Sequence, residues 1–163
     1  FNMKKIICLL FIILSISSCY EDERGSDYKP EIMSRTEFEN SIEITGSKAM
    51  QKAGKIYLVD DLMFLGEENQ GFHIYDNSSP TLPKKIGFLR IPGATDLAIK
   101  PNSEVIYVNQ AVDLVAFTIE KNTMKITIHK RLRNVFPVLR SPDGFYLNEK
   151  YSKDKIVVDW HKK

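Results

Sequence analysis

The chain has few of the residues that hold small folds together by covalent bonds or metals. Only two of its 163 residues are cysteine, and no Cys-x-x-Cys pair occurs. This excludes a disulfide scaffold and the usual thiolate motifs for zinc or redox chemistry. The formal net charge is only +2, from 23 basic and 21 acidic residues. The composition therefore gives no electrostatic reason to expect a nucleic-acid partner.

Catalytic motifs are lacking as well. The sequence contains no Gly-x-Ser-x-Gly, P-loop, Gly-x-Gly-x-x-Gly or His-Glu-x-x-His pattern. His73, His129 and His161 are not spaced as metal ligands, so we expect structural or surface roles for them. Asp76 and its polar neighbours could bind a cation, but Asx residues that follow a strand usually form turns. The sequence therefore predicts no catalytic residue, no metal site, no cofactor and no enzymatic activity.

No apolar run is long enough to cross a membrane, and the longest one lies near the N-terminus. Lys4 and Lys5 precede an unbroken apolar segment at 6–14, and three of the next four residues are serine. Basic, apolar and small residues in this order are typical of a secretory signal. A transmembrane helix would need about 20 apolar residues. Residues 1–18 are therefore predicted to be a signal peptide.

The end of this signal resembles a bacterial lipobox. It reads Ser-Ile-Ser-Ser-Cys over 15–19, with Ile16 in place of the usual Leu. The resemblance implies cleavage before Cys19 and lipidation of its sulfur, because a thiolate is the nucleophile that forms the thioether. Several acyl chains at Cys19 would hold the protein on a membrane. The alternatives are an ordinary signal that happens to end in cysteine and an anchor helix that is not cleaved.

Cleavage would leave a neutral chain behind a polar tether. Removing residues 1–18 removes Lys4 and Lys5 and no acidic residue, which leaves 21 residues of each sign. Residues 19–27 are polar and are predicted to be a solvated, lipidated tether. The acidic cluster at 21–23 resembles the surface-export signal of some outer-membrane lipoproteins. This implies a location in the bacterial cell envelope, at the outer membrane and on the cell surface; a plain linker is the alternative.

Short β-rich runs separated by turns predict an all-β fold after a lead-in segment at 28–54. In the lead-in, Ser34 and Glu37 have the spacing of a capping box, which predicts a short helix at 36–41. Residues 55–163 are predicted to form antiparallel four-stranded meanders. The predicted strands are 56–59, 62–65, 72–76, 86–91, 95–99, 105–108, 112–118 and 126–130, followed by a hairpin of 145–147 and 155–160.

The meanders repeat with a period near 42 residues. Phe64 corresponds to Tyr107, and Tyr75 corresponds to Phe117. β-Propeller blades contain four strands and repeat every roughly 40–45 residues. A single four-stranded sheet buries both faces only by stacking on neighbours. We therefore expect propeller-type blades, incomplete at about two to three where a closed propeller has about 4–8. A generic β-sandwich with chance self-similarity is the alternative.

The repeat core resembles a known family. Residues 71–80, Gly-Phe-His-Ile-Tyr-Asp-Asn-Ser-Ser-Pro, resemble the repeat of the LVIVD-repeat bacterial lipoproteins, where a hydrophobic strand ends in Asp before a polar turn and Pro. Segments 112–117 and 30–35 are similar to a degenerate second copy and to the lead-in of these proteins. The resemblance covers about residues 28–137 and implies propeller-type repeats without implying any chemistry. Because the repeats span less than two full periods, we expect a truncated member or an open stack.

Two functional hypotheses follow from the sequence. The first is a membrane-tethered lipoprotein with a non-catalytic binding or scaffold role, whose ligand is a protein or a glycan. The second is an enzyme or carbohydrate-processing accessory with its site at the hub of a full-length propeller, of which this chain is a fragment. Acidic residues that meet at one channel mouth would favour the second hypothesis. A third alternative is a non-functional piece of a longer gene product.

Overall fold

The computed structural model describes residues 25–100, 103–147 and 154–163. Of these residues 54% are in strands and 4% in a helix. All strand pairs in the described part are antiparallel, which confirms the all-β prediction. The predicted signal peptide, Cys19 and most of the tether lie outside the described residues. No helix among the described residues is long and apolar enough to span a membrane.

Eleven strands and one helix are present in the described residues. They are β1 (Tyr28–Ser34), α1 (Arg35–Glu39), β2 (Glu43–Thr45), β3 (Ala53–Val59), β4 (Leu62–Glu67), β5 (Gly71–Asp76), β6 (Lys84–Arg90), β7 (Ala94–Ile99), β8 (Ile106–Gln110), β9 (Asp113–Glu120), β10 (Lys125–Leu132) and β11 (Lys155–Lys162). Each of the eight strands predicted for the two meanders overlaps one of β3 to β10.

The strands form three sheets. The first sheet is the meander β3 to β6, extended at the β6 edge by β2, and the second sheet is the meander β7 to β10. A separate two-stranded sheet pairs β1 with β11. No sheet closes on itself, and the structure confirms the meanders without confirming propeller blades.

The predicted C-terminal hairpin is wrong. Residues 155–160 lie in β11, but β11 pairs with β1 of the lead-in. Phe145 cannot supply the other strand, because its backbone groups are used locally. Its N–H donates to the Ser141 hydroxyl and its carbonyl accepts from the Ser141 N–H, both at 2.8 Å. Gly144, with φ of +90°, completes this tight turn.

The main hydrophobic core lies between the first and second sheets. Each sheet contributes alternate residues from its strands, as expected when one face is packed. The buried members are Leu62, Phe64, Phe72, Ile74, Leu89 and Ile91 from the first sheet and its exit, and Ala94, Leu97, Ile106, Val108, Val115, Phe117 and Ile119 from the second. The two sheets are thus joined chiefly by apolar packing.

Equivalent positions lie on the same face of each sheet, but among the described residues that face is covered in the first sheet and uncovered in the second. Phe64 and its cross-strand partner Ile74 are buried in the core. The equivalent pair of the second sheet, Tyr107 and Ala116, is half-buried and alternates with core residues, so it faces away from the first sheet. The sheets therefore stack in the same orientation, the front of one on the back of the other, as consecutive repeats do.

The lead-in helix packs at one end of this stack. The predicted capping box is confirmed: the Ser34 hydroxyl accepts from the Glu37 N–H and the Glu37 carboxylate accepts from the Ser34 N–H. Phe38 of α1 is fully buried in a second, smaller core with residues of the β8–β9 turn and of β11. The lead-in is therefore part of the folded unit.

Candidate functional site

A polar groove opens where the β4–β5 turn, the start of β7 and β11 meet. Its volume is about 700 Å³, within the range of about 300–1,000 Å³ typical of ligand pockets. The groove is lined by Tyr28, Gln51, Lys52, Glu67, Glu68, Asn69, Gln70, Thr95, Leu139, Arg140, Pro142, Asp159 and Trp160. These residues come from all three sheets and their connections. The groove therefore exists only in the folded chain.

The junction between the two sheets fixes the floor of the groove. Residues 91–93 connect β6 to β7, and their backbone forms hydrogen bonds with the β4–β5 turn. The Ile91 N–H donates to the Gln70 carbonyl at 3.0 Å, and the Gly93 N–H donates to the Asn69 carbonyl at 2.7 Å. Asn69 has φ of +58°, a left-handed conformation that asparagine tolerates. The backbone thus holds Asn69 and Gln70 in place.

Asn69 also connects this turn to β11. Its amide donates to Asp159 Oδ1 at 2.8 Å, and the Trp160 N–H donates to the same oxygen at 2.8 Å. The Trp160 indole N–H donates to the Leu139 carbonyl at 3.2 Å, which fixes the ring at the wall of the groove. The arrangement presents an aromatic surface beside amide groups, and such walls suit polar ligands with apolar faces.

A buried Glu67–His73 pair lies beneath one side of the groove. Glu67 is 2% exposed and His73 is fully buried. The Glu67 carboxylate accepts from the Lys52 N–H at 2.6 Å, from the Gln51 N–H at 3.1 Å and from His73 Nε2 at 2.8 Å. Burial acts to raise the pKa of Glu67, but these hydrogen bonds outweigh it and hold that pKa below its usual value. The carboxylate is ionised and its oxygens are already bonded.

This pair fixes the connection between β2 and β3. Glu67 holds the backbone of 51–52, and Lys48 lies over the Phe88 ring at 4.1 Å from its centroid. His73 contacts the same ring edge-on, with centroids 5.0 Å apart. The segment 46–52 is thereby pinned across one end of the first sheet. We conclude that Glu67 and His73 fix the backbone on this side of the groove.

Gln110 of the second sheet has the equivalent role. Like Glu67, it is the last residue of the second strand of its meander, and it is fully buried. Its amide donates to the Phe38 carbonyl at 2.8 Å and to the Ser41 hydroxyl at 3.0 Å. At the same position, each sheet therefore uses a buried polar side chain to fix a segment that precedes β3.

Three side chains on the two-stranded sheet could hold a cation. Glu31 of β1 lies opposite Asp159 of β11, and His161 Nε2 lies 2.8 Å from Glu31 Oε2. Their ligand atoms all lie within 4.8 Å of one another. Two carboxylates and an imidazole suit a divalent transition metal. The bond to Glu31 raises the pKa of His161, and the Glu31–His161 contact also satisfies both groups without an ion.

The residues singled out in the sequence take other places. Cys19, the predicted lipidation site, lies outside the described residues. Asp76 closes an Asx turn by accepting from the Ser78 N–H at 2.9 Å. His129 lies on β10, with Nε2 3.0 Å from the Thr118 hydroxyl oxygen. Neither Asp76 nor His129 lines the groove.

Sequence reasoning missed the side chains that build the groove and the cation-ligand trio. Glu31 and His161 are 130 residues apart, so no local spacing could reveal them. Glu67 carried one weak signal, because it is a charged residue at the end of an apolar strand. No protein-family model matches the chain, and neither a curated protein nor a solved structure matches it. The resemblance to LVIVD-repeat lipoproteins therefore stays a prediction.

Proposed function

We propose that the chain is a lipid-anchored, non-catalytic binding or scaffold protein of the bacterial cell envelope. Acyl chains on Cys19 would tether it to the outer membrane, with residues 19–27 as the link and display on the cell surface. The observation that carries the binding role is the polar groove, which has the volume of a ligand pocket and lies on a rigid junction of three sheets. No step of this proposal requires a cofactor.

The stacking of the sheets supports propeller-type repeats as the scaffold. Both sheets are meanders with their strands in sequential order, and they stack front to back. The three-residue connection at 91–93 carries the chain directly from the last strand of one sheet to the first strand of the next. These are the features that relate successive blades of a propeller. The LVIVD-repeat family remains the proposed relationship.

The groove fits a glycan or the polar backbone of a protein segment. Tyr28 and Trp160 offer aromatic surface, and Gln51, Asn69 and Gln70 offer amide groups beside it. Lys52 and Arg140 oppose the three carboxylates of the lining, so the groove carries no excess of positive charge. A neutral, hydroxyl-rich or amide-rich ligand suits such a lining better than a nucleic acid, whose phosphates need a basic surface.

The only tryptophan of the chain makes the binding role directly testable. Because Trp160 lines the groove, titration of the full chain with cell-wall oligosaccharides and with peptides should give a saturable change in its fluorescence. Lys52→Ala should weaken that binding. Lys121→Ala is the matched control, because Lys52 and Lys121 each form an exposed ion pair, with Glu68 and Asp60, and Lys121 is not a groove residue. A fluorescence signal that no glycan or peptide changes would contradict the binding role.

The anchor needs a separate test. In protein extracted from its own membranes, mass spectrometry should show an N-terminal peptide that begins at Cys19 and carries acyl groups. Cys19→Ser should abolish the added mass and release the protein from the membrane fraction. A mass that retains residues before Cys19 without lipid would contradict the anchor and leave the binding role open.

An enzyme is the second candidate, because three acidic side chains converge on the groove: Glu67, Glu68 and Asp159. Each of them is engaged, however. Glu67 is buried and bonded as described, Glu68 pairs with Lys52, and Asp159 accepts from Asn69 and Trp160. A general acid or base must reach the proton that it transfers, and these contacts favour binding instead. A glycosidase activity that Asp159→Asn removes would reverse this preference.

A further inference from the structure

One face of the first sheet is apolar and has no partner among the described residues. Ile56 and Leu58 of β3 are 62% and 61% exposed. Met63 and Leu65 of β4 pair with them across the strands and are half-buried. We call these four residues the outer apolar face. The pinned segment 46–52 covers only the neighbouring part of this side, around His73 and Phe88. Exposed aliphatic clusters of this kind mark interaction surfaces.

The second sheet shows what covers such a face. The row Leu58–Met63–Tyr75 runs across three strands of the first sheet. Its equivalent in the second sheet, 41–43 residues later, is the row Ile99–Ile106–Phe117. That second row belongs to the main core, where the first sheet covers it. The same positions are therefore covered in one repeat and open in the other.

The core-facing side of the first sheet also has an equivalent on the second sheet, and that equivalent is not covered by the first sheet. In the core, the row Tyr57–Phe64–Ile74 of the first sheet packs against the second sheet. Its equivalent in the second sheet is the row Ala98–Tyr107–Ala116, which points away from the core. We call this row the back face. Ala98 is exposed, Tyr107 and Ala116 are half-buried, and none of the three side chains is charged. One chain thus carries both halves of a second sheet-to-sheet interface.

We propose that the outer apolar face is covered by the back face of a second copy of this chain. The two copies would join head to tail and continue the stacking seen inside each chain. Such a contact is heterologous, so it leads to a ring if its rotation closes and to a filament if it does not. The proposal depends neither on the lipid anchor nor on the ligand of the groove.

Cysteine cross-linking tests the pairing of the two faces. Inside the chain β7 lies against β3, so the proposed contact places Leu58 of one copy near Ala98 of another. Two differently tagged full chains, one with Leu58→Cys and one with Ala98→Cys, are produced in the same cells and treated with a mild oxidant. The parent chain, which keeps Cys8 and Cys19, gives the background.

The proposal predicts a mixed disulfide dimer only when both variants are present. A dimer of Leu58→Cys with itself would overturn it in favour of two identical faces packed together. No cross-link above the background would also overturn it, because some other partner or none would then cover the face. Each variant must give the far-UV circular dichroism spectrum of the parent chain.

A second measurement keeps the proposal falsifiable without cysteines. In sedimentation velocity of the full chain, Leu58→Glu should raise the apparent dissociation constant of association about tenfold or more, because it places a charge in an apolar contact. Leu82→Glu is the matched control, since Leu82 is 68% exposed in the β5–β6 connection, outside both faces. Equal effects of the two variants, or a parent chain that stays monomeric at all concentrations, would overturn the proposal.

Discussion

The two sheets share one strand plan but solve the same local problem with different chemistry. At the end of the second strand the first sheet buries an ionised carboxylate, Glu67, and the second buries an amide, Gln110. Four residues after Glu67 comes Gly71, and the equivalent start of the third strand in the second sheet is the buried Asp113. Both sheets therefore use this position to fix a neighbouring segment, but they use different residues to do so.

Gly71 and Asp113 differ because the starts of their strands contact different parts of the chain. The Asp113 carboxylate accepts hydrogen bonds from the guanidinium groups of Arg35 in α1 and Arg131 in β10, at 2.8 and 2.9 Å, and from the Asn134 N–H at 3.0 Å. It ties the lead-in helix to the second sheet. Gly71 instead lies directly beneath the backbone of Leu89, where no side chain fits. At the start of the third strand, the first sheet thus depends on a close backbone approach, and the second depends on a partly buried network of charges.

The largest effect is expected from Gly71→Ala. A Cβ at this position would lie 2.0 Å from the Leu89 carbonyl oxygen, and φ is +131°. The added atom meets the backbone of Leu89 and Ile91, so we expect a loss of more than about 4 kcal/mol of unfolding free energy, among the most severe single substitutions.

The control for this substitution is Gly144→Ala. Gly144 also has positive φ, at +90°, but a Cβ there would meet nothing within 4 Å. It should cost only about 1–2 kcal/mol, the conformational part. Urea unfolding of both variants measures the difference. Equal losses would mean that conformation, and not the approach of Leu89, requires glycine at 71.

Asp113→Ala should cost about 3–5 kcal/mol, because it leaves the half-buried guanidinium groups of Arg35 and Arg131 without this counter-charge and the Asn134 N–H without its acceptor. Burial acts to raise the pKa of Asp113, but the Asn134 N–H and the two arginines hold that pKa below its usual value. The stabilisation is therefore full at neutral pH and is lost as pH falls below about 4 through the folded-state pKa. Urea midpoints at pH 7 and pH 3 should differ less in Asp113→Asn than in the parent chain. An unchanged pH dependence would show that other carboxylates control acid unfolding.

Exchanging Glu67 and Gln110 tests whether either position tolerates both a carboxylate and an amide. Gln110→Glu should cost about 3–5 kcal/mol near neutral pH, because a buried carboxylate cannot donate to the Phe38 carbonyl as the amide does. Glu67→Gln should cost less, about 1–3 kcal/mol, because an amide oxygen can still accept from a backbone N–H. Similar small losses from both exchanges would mean that either sheet tolerates either residue.

The local parts of this fold could be predicted from the sequence, and the distant contacts could not. Alternation and turn residues predicted β3 to β10, and Ser34 with Glu37 predicted the capping box, because both signals act within a few residues. The pairing of β1 with β11 joins residues as far apart as Tyr28 and Lys162, and no local pattern encodes it. The three-residue strand β2 is too short to show a period.

The candidate site escaped prediction for the same reason. The groove is assembled from residues that meet only after the sheets stack, such as Asn69 and Asp159, which are 90 residues apart. The repeat itself could be read, since Phe64 and Tyr107 do occupy equivalent strand positions. That Phe64 is buried in the core while Tyr107 faces away from it could not be predicted, because the period gives the spacing of the repeats and not how they stack. The stacking is the part that suggests both the groove and the self-association.

The smallest expected effects come from substitutions in two tight turns. Comparing them distinguishes the cost of backbone strain from the benefit of a buried methyl group. Asp60 in the β3–β4 turn and Ala111 in the β8–β9 turn both have positive φ, at +50° and +42°. Replacement by glycine removes the Cβ that causes the strain, and at either site this should add up to about 1 kcal/mol of unfolding free energy. Ala111 is 7% exposed, so Ala111→Gly also loses a buried methyl group worth about 0.8 kcal/mol. Asp60→Gly should therefore stabilise the chain slightly and Ala111→Gly should leave the urea midpoint unchanged. A clear stabilisation by Ala111→Gly would instead show that the second sheet carries a strained turn that its packing does not offset.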